Sequence, residues 1–232
     1  MDNIANKVAN YINHLDKKIV IGISGHGASG KTTFANRLRE LIGEQHVNYM
    51  NTDPYIIGSE LRKYTTIEYE YDQKRHASKM TACHPAAHHV VSLERDLTMI
   101  REGLDFNTIK THYMESALVS SDNKVSIVEG MSTAFVDPSL FDLKIYLYTD
   151  GETEFMRRGI RDVSERGMNI EYLKQSHNQR RIQYELFMHT YHEVFDLVIK
   201  NTNQSYVIEK DSLNLCSINW LLFFIKKEKD DT

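Results

Sequence analysis

Cysteine is scarce: two residues, Cys83 and Cys216, stand far apart in a chain of 232. That excludes a disulfide scaffold and a four-cysteine zinc site, and it suits a reducing compartment. A surplus of positive charge is also lacking. Lys and Arg number 28 against 32 Asp and Glu, a formal net charge of −4. Broad attraction to nucleic acid or an anionic membrane is therefore not expected, and any anion site must be local. Long hydrophobic runs are missing too. The most apolar stretch, INWLLFFIKK, has its unbroken run at 220–225, far short of the ~20 residues of a membrane helix. It suits a final helix over about 212–227, packed on the core or against a second copy of the chain. The first residues, MDNIANKVANYINHLDKK, have no apolar signal core and read as a short amphipathic helix. A cytoplasmic location is expected. Repeats and low-complexity linkers are absent. The whole of 1–232 is expected to form one domain, or one with a lid, long enough to bury roughly 70% of its unfolded surface.

What the chain does contain is alternation. Short apolar runs at 18–24, 47–52, 125–129, 143–148 and 197–200 are separated by segments of helical period at 31–41, 86–102, 152–163 and 169–194. Nearly unbroken apolar strands are those covered on both faces, so the expectation is an α/β fold. It would be a doubly wound, mainly parallel, five-stranded sheet with crossover helices. Val90, Leu93, Leu97 and Ile100 fall at helical spacing before Gly103, a usual stop. Residues 54–83, with Tyr64, Tyr69 and Tyr71 among charges, read as a mobile insert at the open edge of the sheet.

The first strand runs into Gly25, His26, Gly27, Ala28, Ser29, Gly30, Lys31 and Thr32, which fit G-x-x-x-x-G-K-[ST] at every fixed position, with Thr33 next. Glycines let the backbone turn its N–H groups inward, and the helix that follows presents its positive end to phosphate oxygens. Lys31 reaches the β- and γ-phosphates and the Thr32 hydroxyl meets magnesium. Strand before and helix after are the context this pattern requires, so the turn is read as holding a nucleoside triphosphate. The guanine-reading tetrad N-K-x-D is absent.

Two carboxylates end strands. Asp53 follows the second strand, where open α/β sheets place their ligand crevice, and a carboxylate there can accept the proton of an attacking hydroxyl. A turn aspartate before Pro54 accounts for it equally well. Glu129 closes VSIVEG and either helps hold magnesium or simply ends the strand. Farther on, Arg157, Arg158 and Arg161 share a helix face, with Arg166 just before Gly167. They form either a solvated face paired to Asp162 and Glu165 or a movable lid that neutralises the transferring phosphate; the phosphate loop favours the lid, over about 152–168.

At EFMRRGIRDVSERG, taken with GISGHGASGKTT, NTDPY, HPAAHHVVSLERDLTMIREG and VSIVEGM, the chain resembles the uridine kinase and phosphoribulokinase family of P-loop kinases over roughly 18–200. The resemblance implies transfer of a phosphate from magnesium ATP to a hydroxyl of a small molecule. It gives Lys31, Thr32, Asp53 and Glu129 the roles above, and Arg157, Arg158, Arg161 and Arg166 service to the phosphates or the acceptor. Tyr55, His84, His112 and Tyr113 are the expected acceptor contacts. His84 and His88, four apart, also raise a transition-metal site, but capping or acceptor binding by His84 is the better reading.

The departure lies where the acceptor is read. The D-H-P-D segment of uridine kinases corresponds here to CHPAA, 83–87, and both acids are gone; T-H-S-R is only partly echoed by THYMES, 111–116. A site that loses such hydrogen bonds changes its substrate. A uridine- or cytidine-like nucleoside remains the first expectation. Another metabolite (a sugar, a sugar phosphate, a pantothenate-like compound) or an ATP-binding regulator without transfer are the alternatives.

Overall fold

In the computed structural model, which describes residues 1–161, 167, 169–203 and 205–215, the chain begins with α1 (Asp2–Asn13), β1 (Ile19–Ser24), α2 (Lys31–Ile42), β2 (Val47–Asn51) and α3 (Ser59–Arg62). A hairpin of β3 (Thr66–Tyr71) and β4 (Lys74–Lys79) follows, then α4 (Val90–Glu102) and the short pair β5 (Phe106–Asn107) and β6 (Leu118–Val119). The rest is β7 (Val125–Glu129), β8 (Leu143–Tyr148), α5 (Gly151–Arg158), α6 (Ile170–Phe187), β9 (Leu197–Asn201) and β10 (Tyr206–Asp211).

The main sheet has the order β10-β9-β8-β1-β7-β2. All neighbours are parallel except β10, which runs antiparallel to β9. The pleat explains the two layers. Ile19, Ile21 and Ile23 of β1 pack with α1 and α2, through Ala5, Val8, Phe34 and Leu38. Val20 faces the other way, toward Leu93 and Leu97 of α4, with Met50 and Phe141. Under β8 and β9, Tyr146 and Val198 meet Tyr184 and Met188 at the end of α6. Chain direction reverses around β1, since β2 lies to one side of it and β8 to the other, and such a switch point opens a crevice at the carboxyl ends of the strands.

Several expectations are corrected. The sheet has six strands, not five. β10 was not legible because Tyr206–Asp211 mixes charges with apolar residues and lies on an edge, half exposed. Helix 86–102 begins only at Val90; before it, Pro85–Ala87 makes a 3-10 turn and His88 is extended, bridging to Ile56. Helix 169–194 stops at Phe187, where Met188 leaves helical geometry to sink into the core, and a 3-10 segment His189–Val194 follows. The lid helix ends at Arg158 and continues as a wider turn over 159–161. The insert 54–83 carries α3 and the β3–β4 hairpin. That hairpin closes on Asp72 and Gln73, both at positive φ, and docks on α6 by Tyr71–Glu185 (2.7 Å) and Gln183–Ser78 (2.9 Å) bonds. Residues 212–215 form a turn, so the helix expected over 212–227 does not begin there; its remainder lies outside the described residues. Among the described residues no helix is long and apolar enough to cross a membrane.

Candidate active site

The turn after β1 is held in a form that only small residues permit. Gly25 has φ 138°, and a Cβ there would lie 1.7 Å from the Leu147 carbonyl oxygen; Gly30 has φ 94°, with Asn201 Nδ2 at 2.3 Å from its virtual Cβ. Ala28 joins them at positive φ. Gly30 is also the N-cap of α2, and no side chain caps that helix, so its first N–H groups are left for a ligand. Lys31 is buried beneath the loop. Its Nζ donates to the His26 carbonyl at 3.3 Å and lies 3.6 Å from Glu129 Oε1.

Glu129, 2% exposed, ends β7 beside the loop. Its Oε2 accepts hydrogen bonds from Thr32 Oγ1 at 3.2 Å and from the Tyr49 hydroxyl at 2.9 Å. Burial, with the neighbouring carboxylate, pushes the Tyr49 phenol well up, which keeps it a donor. The donor set around Glu129 and Thr32 is oxygen alone, which fits magnesium held by a few protein oxygens and by substrate phosphates. Asp53 sits just past β2 in a 3-10 turn whose shape is fixed by its own N–H donating to Asn51 Oδ1 at 2.7 Å. Its carboxylate is exposed and takes part in no hydrogen bond or ion pair among the described residues.

These groups open into one cleft of about 1300 Å³, lined by the phosphate loop from Gly27 to Thr33, by Asp53, Glu129, His112 and Tyr113, and by Arg157, Arg158 and Arg161. That is room for a nucleotide and a small acceptor together. Arg157 clasps the loop, donating to the Ala28 carbonyl at 3.2 Å and to Asn201 Oδ1 at 3.0 Å, while Asn201 in turn donates to the Ser29 carbonyl at 2.8 Å. The Tyr113 hydroxyl donates to the Asp53 carbonyl at 3.2 Å. Arg166 lies outside the described residues.

Two expected acceptor contacts are not in the cleft. Tyr55 is fully buried, its hydroxyl donating to Asp96, because the turn after Asp53 aims it back under α4. His84 caps the 3-10 turn by accepting from the Ala86 N–H at 3.1 Å, with its ring against Phe187. His88 is spent between Ser132 Oγ and the Ala82 carbonyl, both at 2.8 Å, and no metal cluster of His, Cys, Asp or Glu occurs among the described residues. Cys83 is fully buried and Ala86 is exposed outside the cleft, so no carboxylate stands where the acceptor-reading acids of uridine kinases would.

Sequence reasoning missed a buried charge cluster. Glu154, 1% exposed, has Arg180 at 3.5 Å, Arg181 at 3.6 Å and His26 at 3.6 Å. Burial pushes its carboxyl up, but the attraction of His26, Arg180, His177 and Arg158 more than offsets this and holds it below the usual range. His26 itself, buried between Gly27 and Thr149, is lowered to about 4, chiefly by burial. Its ring is thus a strut under the loop and not a cleft-facing side chain. Nothing local marks this cluster, since its members come from the loop, α5 and α6.

A pH dependence follows. In the unfolded chain His26 titrates near 6.5; folded, it stays neutral down to about 4. Stability is complete above 6.5 and falls as pH drops toward 4, by up to ~1.4 kcal/mol per unit and ~3 kcal/mol in all. His88, also lowered to about 4 by burial, adds a second such loss. Urea unfolding between pH 6.5 and 4 is expected to show a shallower slope for His26→Gln than for the parent. Parallel slopes would mean that His26 is charged in the folded protein.

Against solved structures, the phosphoribulokinase from Rhodobacter spheroides superimposes with a TM-score of 0.57 at 19% identity, covering 79% of this chain and 70% of that one. The fold is that of P-loop kinases. A profile of the Phosphoribulokinase / Uridine kinase family matches residues 20–207, and the chain belongs to this family. A uridine kinase from Borrelia garinii subsp. bavariensis is 32% identical over 192 residues, 78% of this chain and 85% of the relative. A phosphoribulokinase from Synechocystis is 26% identical over 207 residues, 85% of this chain but 58% of the relative's length. The protein is accordingly a P-loop kinase that acts on a small molecule.

Proposed function

We propose that the chain transfers the γ-phosphate of ATP to a hydroxyl of a small metabolite. The observation that carries this reading is the convergence of the phosphate loop, Asp53 and three arginines on a single cleft at the carboxyl ends of the strands. Lys31 and the open amino end of α2 hold the β- and γ-phosphates. Thr32 and Glu129 are the residues to hold magnesium, which when bound screens charge on the phosphate oxygens. Asp53 takes the hydroxyl proton as the acceptor oxygen bonds to the γ-phosphorus and the bond to ADP breaks. Arg158 and Arg161 meet the charge that spreads onto the transferred group, while Arg157 steadies the loop. His112 and Tyr113 are placed to touch the acceptor.

A uridine- or cytidine-like nucleoside is the first acceptor to try, on the strength of the uridine kinase relatives. The loss of both acids at Cys83 and Ala86 favours a different hydroxylated metabolite. The test is ADP release from magnesium ATP with pyrimidine nucleosides, other nucleosides, pantothenate, sugars and sugar phosphates. Stimulation by at least one acceptor is expected. Tight ATP binding with no stimulation by any of them would turn the reading toward an ATP-binding regulator.

A further inference from the structure

Two arginines stand side by side on α6, and the structure spends them differently. Arg181 donates to the Thr149 carbonyl at 2.9 Å, pairs with Glu185 at 3.0 Å and with Glu154 at 3.6 Å, and covers Tyr184 at 4.7 Å from the ring centre. Arg180 turns into the cleft instead. Its Nε lies 3.5 Å from Glu154 Oε1, and its Nη2 has only the Met131 sulfur at 3.9 Å, a poor acceptor. That same Nη2 is 2.8 Å from where a Cβ of Gly27 would be. The tip of the guanidinium thus stands against the phosphate loop, in space that a side chain at position 27 would take.

Its place along the loop is informative. Lys31 Nζ, which serves the β- and γ-phosphates, donates to the His26 carbonyl, one residue before Gly27. Arg180 therefore stands where the terminal phosphate belongs. What holds it there is Glu154, buried in the first turn of α5. The same carboxylate lies 3.6 Å from His26, whose ring bonds the Gly27 carbonyl at 2.8 Å, so one acid anchors both groups that flank Gly27. Neither Glu154 oxygen accepts a hydrogen bond among the described residues, and Arg180 Nε donates none. Buried polar atoms left this way are costly and call for a reason. A guanidinium held by charge, and not by directed bonds, keeps its N–H groups for an incoming anion.

We propose that Arg180 is a further catalytic residue, binding the γ-phosphate from outside the lid, with Glu154 as its positioning residue. Arg157, Arg158 and Arg161 belong to the lid segment, whereas Arg180 is carried by α6, whose Tyr184 is packed in the core under β8 and β9. It makes and breaks no bond. It supplies a fixed positive charge to the oxygens of the transferred group, an arginine provided by the chain itself. The proposal rests on the kinase reading for the position of the triphosphate, yet it can fail separately.

The test reads binding and needs no acceptor. Magnesium ADP and the magnesium form of a non-hydrolysable ATP analogue are titrated into the parent and its variants, with thermal unfolding measured alongside. The parent is expected to bind the analogue more tightly than ADP. Arg180→Gln should shrink that margin by about tenfold or more with ADP affinity unchanged. Arg180→Lys, which keeps a charge beside Glu154 and so guards against misfolding, should lose only part of it. Glu154→Gln, which leaves Arg180 present but loosely placed, should reduce the margin by a smaller factor. An Arg180 that served only to neutralise Glu154 would behave otherwise. Arg180→Gln would then lower the unfolding temperature and leave the margin intact, and adding Glu154→Gln would restore stability. That result, a parent that binds the two nucleotides equally, or equal losses of ADP and analogue affinity in Arg180→Gln, overturns the proposal while the kinase reading stands. A parent that binds neither nucleotide removes both. A margin that depends on Arg180, in a protein whose ADP release no acceptor stimulates, upholds the γ-phosphate contact and removes the transfer.

Discussion

Replacing Asp53 by asparagine is expected to lower turnover by about 100-fold or more while ATP affinity stays the same. The substitution keeps the size and the turn but removes the carboxylate that, in the proposed mechanism, takes the hydroxyl proton. The backbone around it does not depend on the carboxylate: its N–H bonds Asn51 and its carbonyl accepts from Tyr113. A turn-forming aspartate is the competing account, and the two differ in what they make the variant do. If Asp53 only shaped the turn, asparagine would fit the site and turnover would hardly change, with a small loss of stability at most. Equilibrium ATP binding, single-turnover kinetics and thermal unfolding, measured side by side, separate the cases. Turnover within a few-fold of the parent would remove Asp53 as the base.

Lys31→Ala is expected to act on both binding and chemistry, weakening ATP by about tenfold or more and lowering turnover by about 100- to 1,000-fold, as for loss of a charged group aimed at the transferring phosphate. Lys31 is buried, and its Nζ lies between the His26 carbonyl and Glu129. Removing it also strips the buried Glu129 carboxylate of the ammonium that lies 3.6 Å from it. The Thr32 hydroxyl bonds the same carboxylate, and the pairing that suits a metal is disturbed along with the phosphate contact. Lys31→Arg should rescue little, since a planar fork does not fit a slot shaped for a compact ammonium. Unchanged ATP affinity in Lys31→Ala, measured by direct binding, would sink the cradle.

How much of this was legible beforehand depends on distance along the chain. The loop from Gly25 to Thr32 could be read because strand, turn and helix are contiguous, so one short segment carries both its geometry and its chemistry. Five strands were legible since burial on both faces leaves an unbroken apolar run. β10 escaped for the opposite reason: an edge strand with one partner keeps its polar residues. Tyr55 was misplaced, and of the two roles open to His84 it takes capping and not acceptor contact, because a residue's neighbours in sequence do not say which way a turn aims it. One went under α4, the other onto its own turn.

By itself, then, the sequence determined a parallel α/β sheet, a phosphate loop at the end of its first strand and acids at the ends of two more, all of which are local patterns of period and spacing. Only the tertiary structure decided that Arg180 stands beside Gly27, that Arg62 is tethered to the Ile57 and Met80 carbonyls, and that Glu154 lies buried among His26, Arg180 and Arg181. The distant ones, Gly27 with Arg180 and His26 with Glu154, join segments more than a hundred residues apart. They arise from how α5 and α6 pack across the carboxyl ends of the strands. No local periodicity records that packing, because a charge is stabilised or exposed by whatever the fold brings beside it.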